Sequence, residues 1–131
     1  MAPLKVLLVD DEEEFVKALA ERLEIRGIRA EVAFNGEQGL QSVRVSSPDV
    51  MVLDLKMPGI DGLEVLRRVM KSHPEVRVIV LTGHGSERDR EVATRTGAFD
   101  YLHKPVDIRD LIDVINRAYK DKAEKSMPRG D

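Results

Sequence analysis

Five polar residues stand where this chain could do chemistry: Asp10 and Asp11, Asp54, Thr82 and Lys104. Each closes or closely follows a short apolar run. Residues 6–9 precede the first pair, 50–53 precede Asp54, 76–81 precede Thr82, and 99–102 end just before His103 and Lys104. If the ends of those runs converge, three carboxylates, a hydroxyl and an amine meet, leaving an excess of two negative charges. Like charges held close disfavour one another's ionised form. A divalent cation removes that excess, and carboxylate oxygens suit hard Mg²⁺, with Mn²⁺ as a substitute. A carboxylate left free beside such an ion can take a phosphoryl group as an acyl phosphate.

Each residue also has a plainer reading. Asp11 and Glu14 match the D-x-x-E capping box of a helix start. Asp54 could simply open a turn, since Met57, Pro58, Gly59, Ile60, Asp61 and Gly62 read as a loop. Thr82 could be a locally bonded strand-end hydroxyl, and Lys104 could be exposed, as most lysines are. The joint occurrence at four strand ends distinguishes the two readings.

The elements that must position these residues follow from hydrophobic periodicity. Apolar runs at 6–9, 30–34, 50–53, 76–81 and 99–102 alternate with longer helix-like stretches. The first, third and fourth are nearly all Val, Leu and Ile, as in parallel strands buried on both faces. Glu31 marks the second run as an edge. Phe15, Leu19 and Leu23, with Val16 and Ala18 beside them, give the first helix an apolar face, and Gly27 stops it. The second helix covers about 37–45. The third carries Leu63, Leu66, Val69 and Met70 and stops before Pro74. The fourth, about 86–96, is mostly charged, with only Val92 and Ala93 to grip a core. The fifth carries Leu111, Val114, Ile115 and Ala118. This alternation predicts an α/β, flavodoxin-like doubly wound (βα)5 fold. Its five-stranded parallel sheet has the order 2-1-3-4-5, with helices on both faces. In such sheets, sites lie beyond the carboxyl ends of the strands.

The sequence resembles response-regulator receiver domains over about residues 3–122, with 123–131 expected as a flexible charged tail. The resemblance rests on Val6 to Glu12 (VLLVDDE), Val52 to Gly62 (VLDLKMPGIDG), Val80 to Gly85 (VLTGHG) and Gly97 to Pro105 (GAFDYLHKP), all in order. It implies that Asp54 is phosphorylated by a sensor histidine kinase or phosphotransfer protein. It implies Mg²⁺ bound by Asp11 directly, by Asp10 largely through water, by Asp54 and by the backbone carbonyl of Lys56. Lys104 would pair with the phosphoryl oxygens, and Thr82 would bond the phosphate once formed. Tyr101 would be the aromatic whose rotamer follows Thr82, and the Lys104–Pro105 bond would be cis. Lys56 and His84 occupy positions that tune phosphate lifetime in that family; His84 is alternatively an exposed loop residue. Output through the face of helix 4, strand 5 and helix 5 would reach a downstream protein or a linked effector domain. A phosphorylation-dependent homodimer is an open alternative.

Other classes fit less well. An Asp-nucleophile phosphatase of the haloacid-dehalogenase type wants a second Asp where Lys56 stands. A flavin carrier needs a phosphate loop where this chain has Asp10, Asp11, Glu12, Glu13 and Glu14. The 131 residues suit one domain, and 42% hydrophobic with 34% charged residues suits a globular one. A net charge of −3 gives no general attraction to nucleic acid. With no cysteine, there is no disulfide or thiol chemistry. No apolar run approaches a membrane span, so a cytoplasmic signalling domain, with no membrane or nucleic-acid contact of its own, is expected.

Overall fold

Strands of Val, Leu and Ile with no polar face must be covered on both sides, and the chain does this by alternation. The computed structural model describes residues 4–126. In chain order the elements are β1 (Lys5–Val9), α1 (Glu13–Ile25), β2 (Arg29–Ala33), α2 (Gly36–Ser46), β3 (Val50–Leu53), α3 (Gly62–Ser72), β4 (Arg77–Thr82), α4 (Glu87–Thr96), β5 (Asp100–His103) and α5 (Ile108–Ser126). The sheet is parallel, in the order β2-β1-β3-β4-β5. This is the expected doubly wound fold, with each strand within a residue of its expected bounds.

Alternate side chains build two cores. Val6, Leu8, Val52, Ile79 and Leu81 point to one face, where Leu19 and Leu23 of α1 and Leu111 and Ile115 of α5 meet them. Leu7, Val9, Met51, Leu53, Val78 and Val80 point to the other, under Val43 of α2 and Val65, Leu66 and Val69 of α3. Only Ala93 of α4 is buried, as its charged sequence predicts. Its start is instead fixed by a reciprocal cap between Ser86 and Asp89.

Register places the strand ends. Val9 is level with Ala33 on one side and Leu53 on the other. Asp10 and Asp54 are therefore the next residues on neighbouring strands, their N–H groups donating to Ala33 O and Val9 O. β4 runs to Thr82, level with His103, and Lys104 N–H donates to Thr82 O.

Three local expectations differ. α1 starts at Glu13, and its N-cap Glu12 makes no side-chain cap bond, so the Asp11–Glu14 box does not form. Asp10 takes the Glu12 N–H instead, at 2.9 Å, and holds the chain out of helix for that turn. Ala18 is exposed, and Ala20 fills the inward position. The stretch 123–131 was expected as tail, but α5 continues to Ser126; Lys125 bonds Asp121 one turn back at 3.1 Å and extends it. Residues 127–131 lie outside the described residues.

Arg77 at the start of β4 ties the sheet to α5 by donating Nε to Asp121 at 2.7 Å. That bond, with Lys125 behind it, holds the Asp121 carboxyl below its usual range. A carboxylate so lowered stabilises the fold above its unfolded pKa and loses that contribution as pH falls. Asp121→Asn is expected to lower stability near pH 7 by roughly 0.5–1 kcal/mol, given the partial exposure of the pair. Urea melts should show the gap from wild type closing as the pH falls below about 4.

Candidate functional site

The carboxyl-end rim of the sheet buries charge that the apolar strands alone would not tolerate. Asp10 is 4% exposed, Asp54 3% and Thr82 0%. Asp10 is anchored on both oxygens: Oδ1 accepts the Glu12 N–H and Oδ2 the Lys104 ammonium at 2.7 Å. Lys104 enters from the loop after β5, follows the Thr82 carbonyl by its own N–H, and precedes a cis bond to Pro105. Its ammonium also reaches Glu12 at 2.6 Å and Asp54 Oδ2 at 3.6 Å, and lies 4.6 Å from the centre of the Phe15 ring.

Burial and pairing compete at each of these groups. Burial raises the Asp10 carboxyl above its usual range, although Lys104 and the Glu12 N–H oppose it. Burial also pushes Lys104 down, but its bonds to Asp10 and Glu12 outweigh that and hold it above its usual value. Exposed Glu12 is lowered by its bond to Lys104.

Asp54 is differently placed. Its Oδ1 accepts one long bond, from the Lys56 N–H at 3.3 Å, and Lys104 stands beyond close bonding distance. The loop after it doubles back tightly: Gly62 N–H donates to Leu55 O, and a side chain at Gly62 would collide with the Asp54 carbonyl and Leu55. Thr82 Oγ1 accepts the His84 N–H at 3.3 Å. His84 itself is exposed. The Lys56 ammonium lies 3.7 Å from Asp89 at the start of α4. Tyr101 is buried, edge-on to His103, with the Arg90 guanidinium 6.0 Å from its ring centre. Burial, then the nearby Asp89 charge, raises the Tyr101 hydroxyl's pKa.

Among the described residues, one group of carboxylates is close enough to share a metal ion. Oxygens of Asp10, Glu12 and Asp54 lie within 4.8 Å of one another. Three oxygen donors, two of them buried, against one ammonium fit a hard divalent cation. Glu12 is the residue that sequence reading missed. It stands in a run of acids, and Lys104 draws it to the rim from 92 residues away. Asp11 lies outside this group; it is exposed and borders an open cleft with Glu13, Asn35, Pro58 and Gly59.

Residues 6–116 match the response regulator receiver domain. The chain belongs to that family. Its fold matches a receiver domain protein (CheY-like) from Methanospirillum hungatei, with a TM-score of 0.92 at 26% identity, over 95% of this chain and 100% of the other. A receiver domain protein from Clostridium thermocellum gives 0.88 at 37% identity, over 93% and 98%. The DNA-binding transcriptional regulator NtrC of Escherichia coli K12 is 37% identical over 95% of this chain, but over only 26% of its own length. TrcR of Mycobacterium tuberculosis, a transcriptional regulatory protein, is 38% identical over 85% of the chain and 43% of its own length. The chain thus spans about a quarter of NtrC. Receivers are generally signalling phosphoacceptors rather than enzymes, and this one carries an acidic pocket of Asp10, Glu12 and Asp54 with Lys104 beside it. No described helix is long and apolar enough to cross a membrane.

The acidic group makes a direct prediction. Adding Mg²⁺ should raise the melting temperature of the wild-type receiver, because an ion bound only by the folded rim stabilises it. Asp10→Asn should weaken the dependence on Mg²⁺ by at least the roughly tenfold typical of losing even an outer partner. Thermal melts across a Mg²⁺ series measure both.

Proposed function

We propose that Asp54 is the phosphoacceptor of a two-component phosphorelay, taking its phosphoryl group from a phosphohistidine on a sensor histidine kinase or phosphotransfer protein. One observation carries this reading. Asp54 is buried to 3% exposure, yet among the described residues its carboxylate accepts only one long hydrogen bond and has an ammonium 3.6 Å away, whereas both oxygens of Asp10 beside it are bonded. It is the carboxylate left available.

In the transfer, an Asp54 carboxylate oxygen attacks phosphorus. The P–N bond to the donor imidazole breaks as the P–O bond forms, and the ring, already protonated on its other nitrogen, takes the P–N electron pair and leaves as neutral imidazole. Catalysis is positioning plus neutralisation of the phosphoryl oxygens. Lys104, already aimed at Asp54 Oδ2, neutralises one of them. Mg²⁺, or Mn²⁺ in its place, would be held by Asp10, Asp11, Asp54 and the Lys56 carbonyl, with Glu12 also in reach, and would supply the remaining positive charge.

Phosphorylation adds negative charge and acceptor oxygens where Thr82 and Lys104 can meet them. Thr82 sits at the root of the loop that leads into α4. With one buried residue, against three in α2 and four each in α1 and α3, α4 is the weakly anchored helix and the element that moves, so the α4–β5–α5 face is the output surface. Tyr101 reports the change, and Lys56 and His84 set how long the phosphate lasts. A cytoplasmic location suits such signalling. The listener is a downstream protein, a second copy of the receiver, or an effector domain of the kind that the NtrC name implies for that relative.

Incubation with acetyl phosphate and Mg²⁺, followed by intact mass measurement, tests the acceptor. The wild type should gain one phosphoryl group and Asp54→Asn none. No gain in the wild type, with Mg²⁺ binding intact, would overturn the proposal. Hydrogen exchange in the same samples should show altered protection over residues 86–96.

A further inference from the structure

We infer that Gly85 is a positioning residue for the switch aromatic: its missing side chain provides the space in which Tyr101 lies inward against Thr82.

Backbone conformation does not explain a glycine here. Gly27, Gly59 and Gly97 have positive φ, whereas Gly85 does not. Space explains it instead. A Cβ built at Gly85 would overlap the Tyr101 hydroxyl and lie 2.8 Å from both the Tyr101 Cζ and the Thr82 Cγ2. Real Cβ atoms do not approach other heavy atoms so closely. Neither neighbour can move aside freely, since Tyr101 is 5% exposed and Thr82 0%. An alanine at 85 and an inward Tyr101 are therefore mutually exclusive.

The niche is also unfinished. The Tyr101 hydroxyl is buried without a hydrogen-bond partner among the described residues. Ring burial in the core under α3 and α4 favours the inward pose, and the unpaired hydroxyl disfavours it. The inward pose thus keeps the ring buried at the expense of an unpaired hydroxyl. Gly85 stands between Thr82 and Ser86, the cap of α4. Any shift of Thr82 is thus passed to Tyr101 through the backbone of Gly85 as well as by direct contact. The link to signalling rests on the phosphoacceptor reading; the steric claim does not.

The test labels the full chain with 3-fluorotyrosine, which marks only Tyr101 and Tyr119. Tyr119→Phe assigns the two fluorine signals. In the wild type, the Tyr101 signal should be shielded from a soluble paramagnetic agent. In Gly85→Ala it should broaden and move toward the shift of the free amino acid, while the Tyr119 signal on α5 stays put as a check of folding. A folded Gly85→Ala protein that keeps Tyr101 shielded would overturn the inference. If Gly85→Ala does not fold, thermal melts in the Tyr101→Ala background decide. The glycine substitution should be tolerated far better there, and an undiminished loss would equally overturn it. Both measurements are made without a phosphodonor, so they succeed or fail independently of Asp54.

Discussion

The register between β1 and β3 is the constraint on which the rest of the molecule depends. Because Val9 and Leu53 are level, the chain leaves the sheet with a carboxylate on each of two adjacent strands, both almost fully buried. A shift of one residue would exchange the side chains that these strands send to the two cores, so close packing in both cores holds the register along with the hydrogen bonds. Buried like charges are tolerated only with compensation. Here that comes from a single ammonium brought from β5, two strands away from β3 in the sheet. The site is thus a consequence of packing: leucines and valines set the register, and the register brings the charges together.

That compensation is incomplete by construction. Lys104 makes its close bonds to Asp10 and Glu12 and only approaches Asp54. A symmetric arrangement would satisfy the rim and leave nothing to react. The asymmetry leaves one buried oxygen with no close bond, beside a cation that can be re-aimed when more negative charge arrives. On the proposed function, affinity for a divalent ion and readiness for phosphoryl transfer have the same origin.

Much of this was legible in sequence, for identifiable reasons. Continuous apolar runs marked the strands, and their polar ends named Asp10, Asp54, Thr82 and Lys104 as neighbours. The sparse apolar content of residues 86–96 foretold that α4 is held mainly by its cap. What sequence could not show was which acid of the run 10–14 faces inward. Asp11 and Glu14 fit a capping box by type and spacing, but the Glu12 N–H goes to Asp10, and the helix starts too late for the box to close. Glu12 joins the pocket because Lys104 reaches it, a contact between residues 92 apart in sequence. Tertiary contacts of that kind have no local signature. The tail misjudged at Lys125 is the opposite case: a weak i,i+4 pair extended a helix that composition alone suggested would fray.

The same asymmetry has a counterpart at the far side of the site. Lys56 offers its backbone N–H to Asp54 while its ammonium leans toward Asp89, the acid that caps α4. Hydrogen bonds from Ser86, with the Lys56 charge behind them, keep the Asp89 carboxyl below its usual range. An exposed pair at 3.7 Å is individually weak. Weakness suits its position, because a strong bond would fasten α4 to the phosphorylation loop. Under the proposed function, a pair worth little more than thermal energy can be drawn off by the new phosphoryl charge, leaving α4 held by its Ser86 cap and Ala93. Rigid strands beneath the chemistry and marginal contacts beneath the response are both needed, and the divide between them falls at Thr82, where the buried strand ends and the loop to α4 begins.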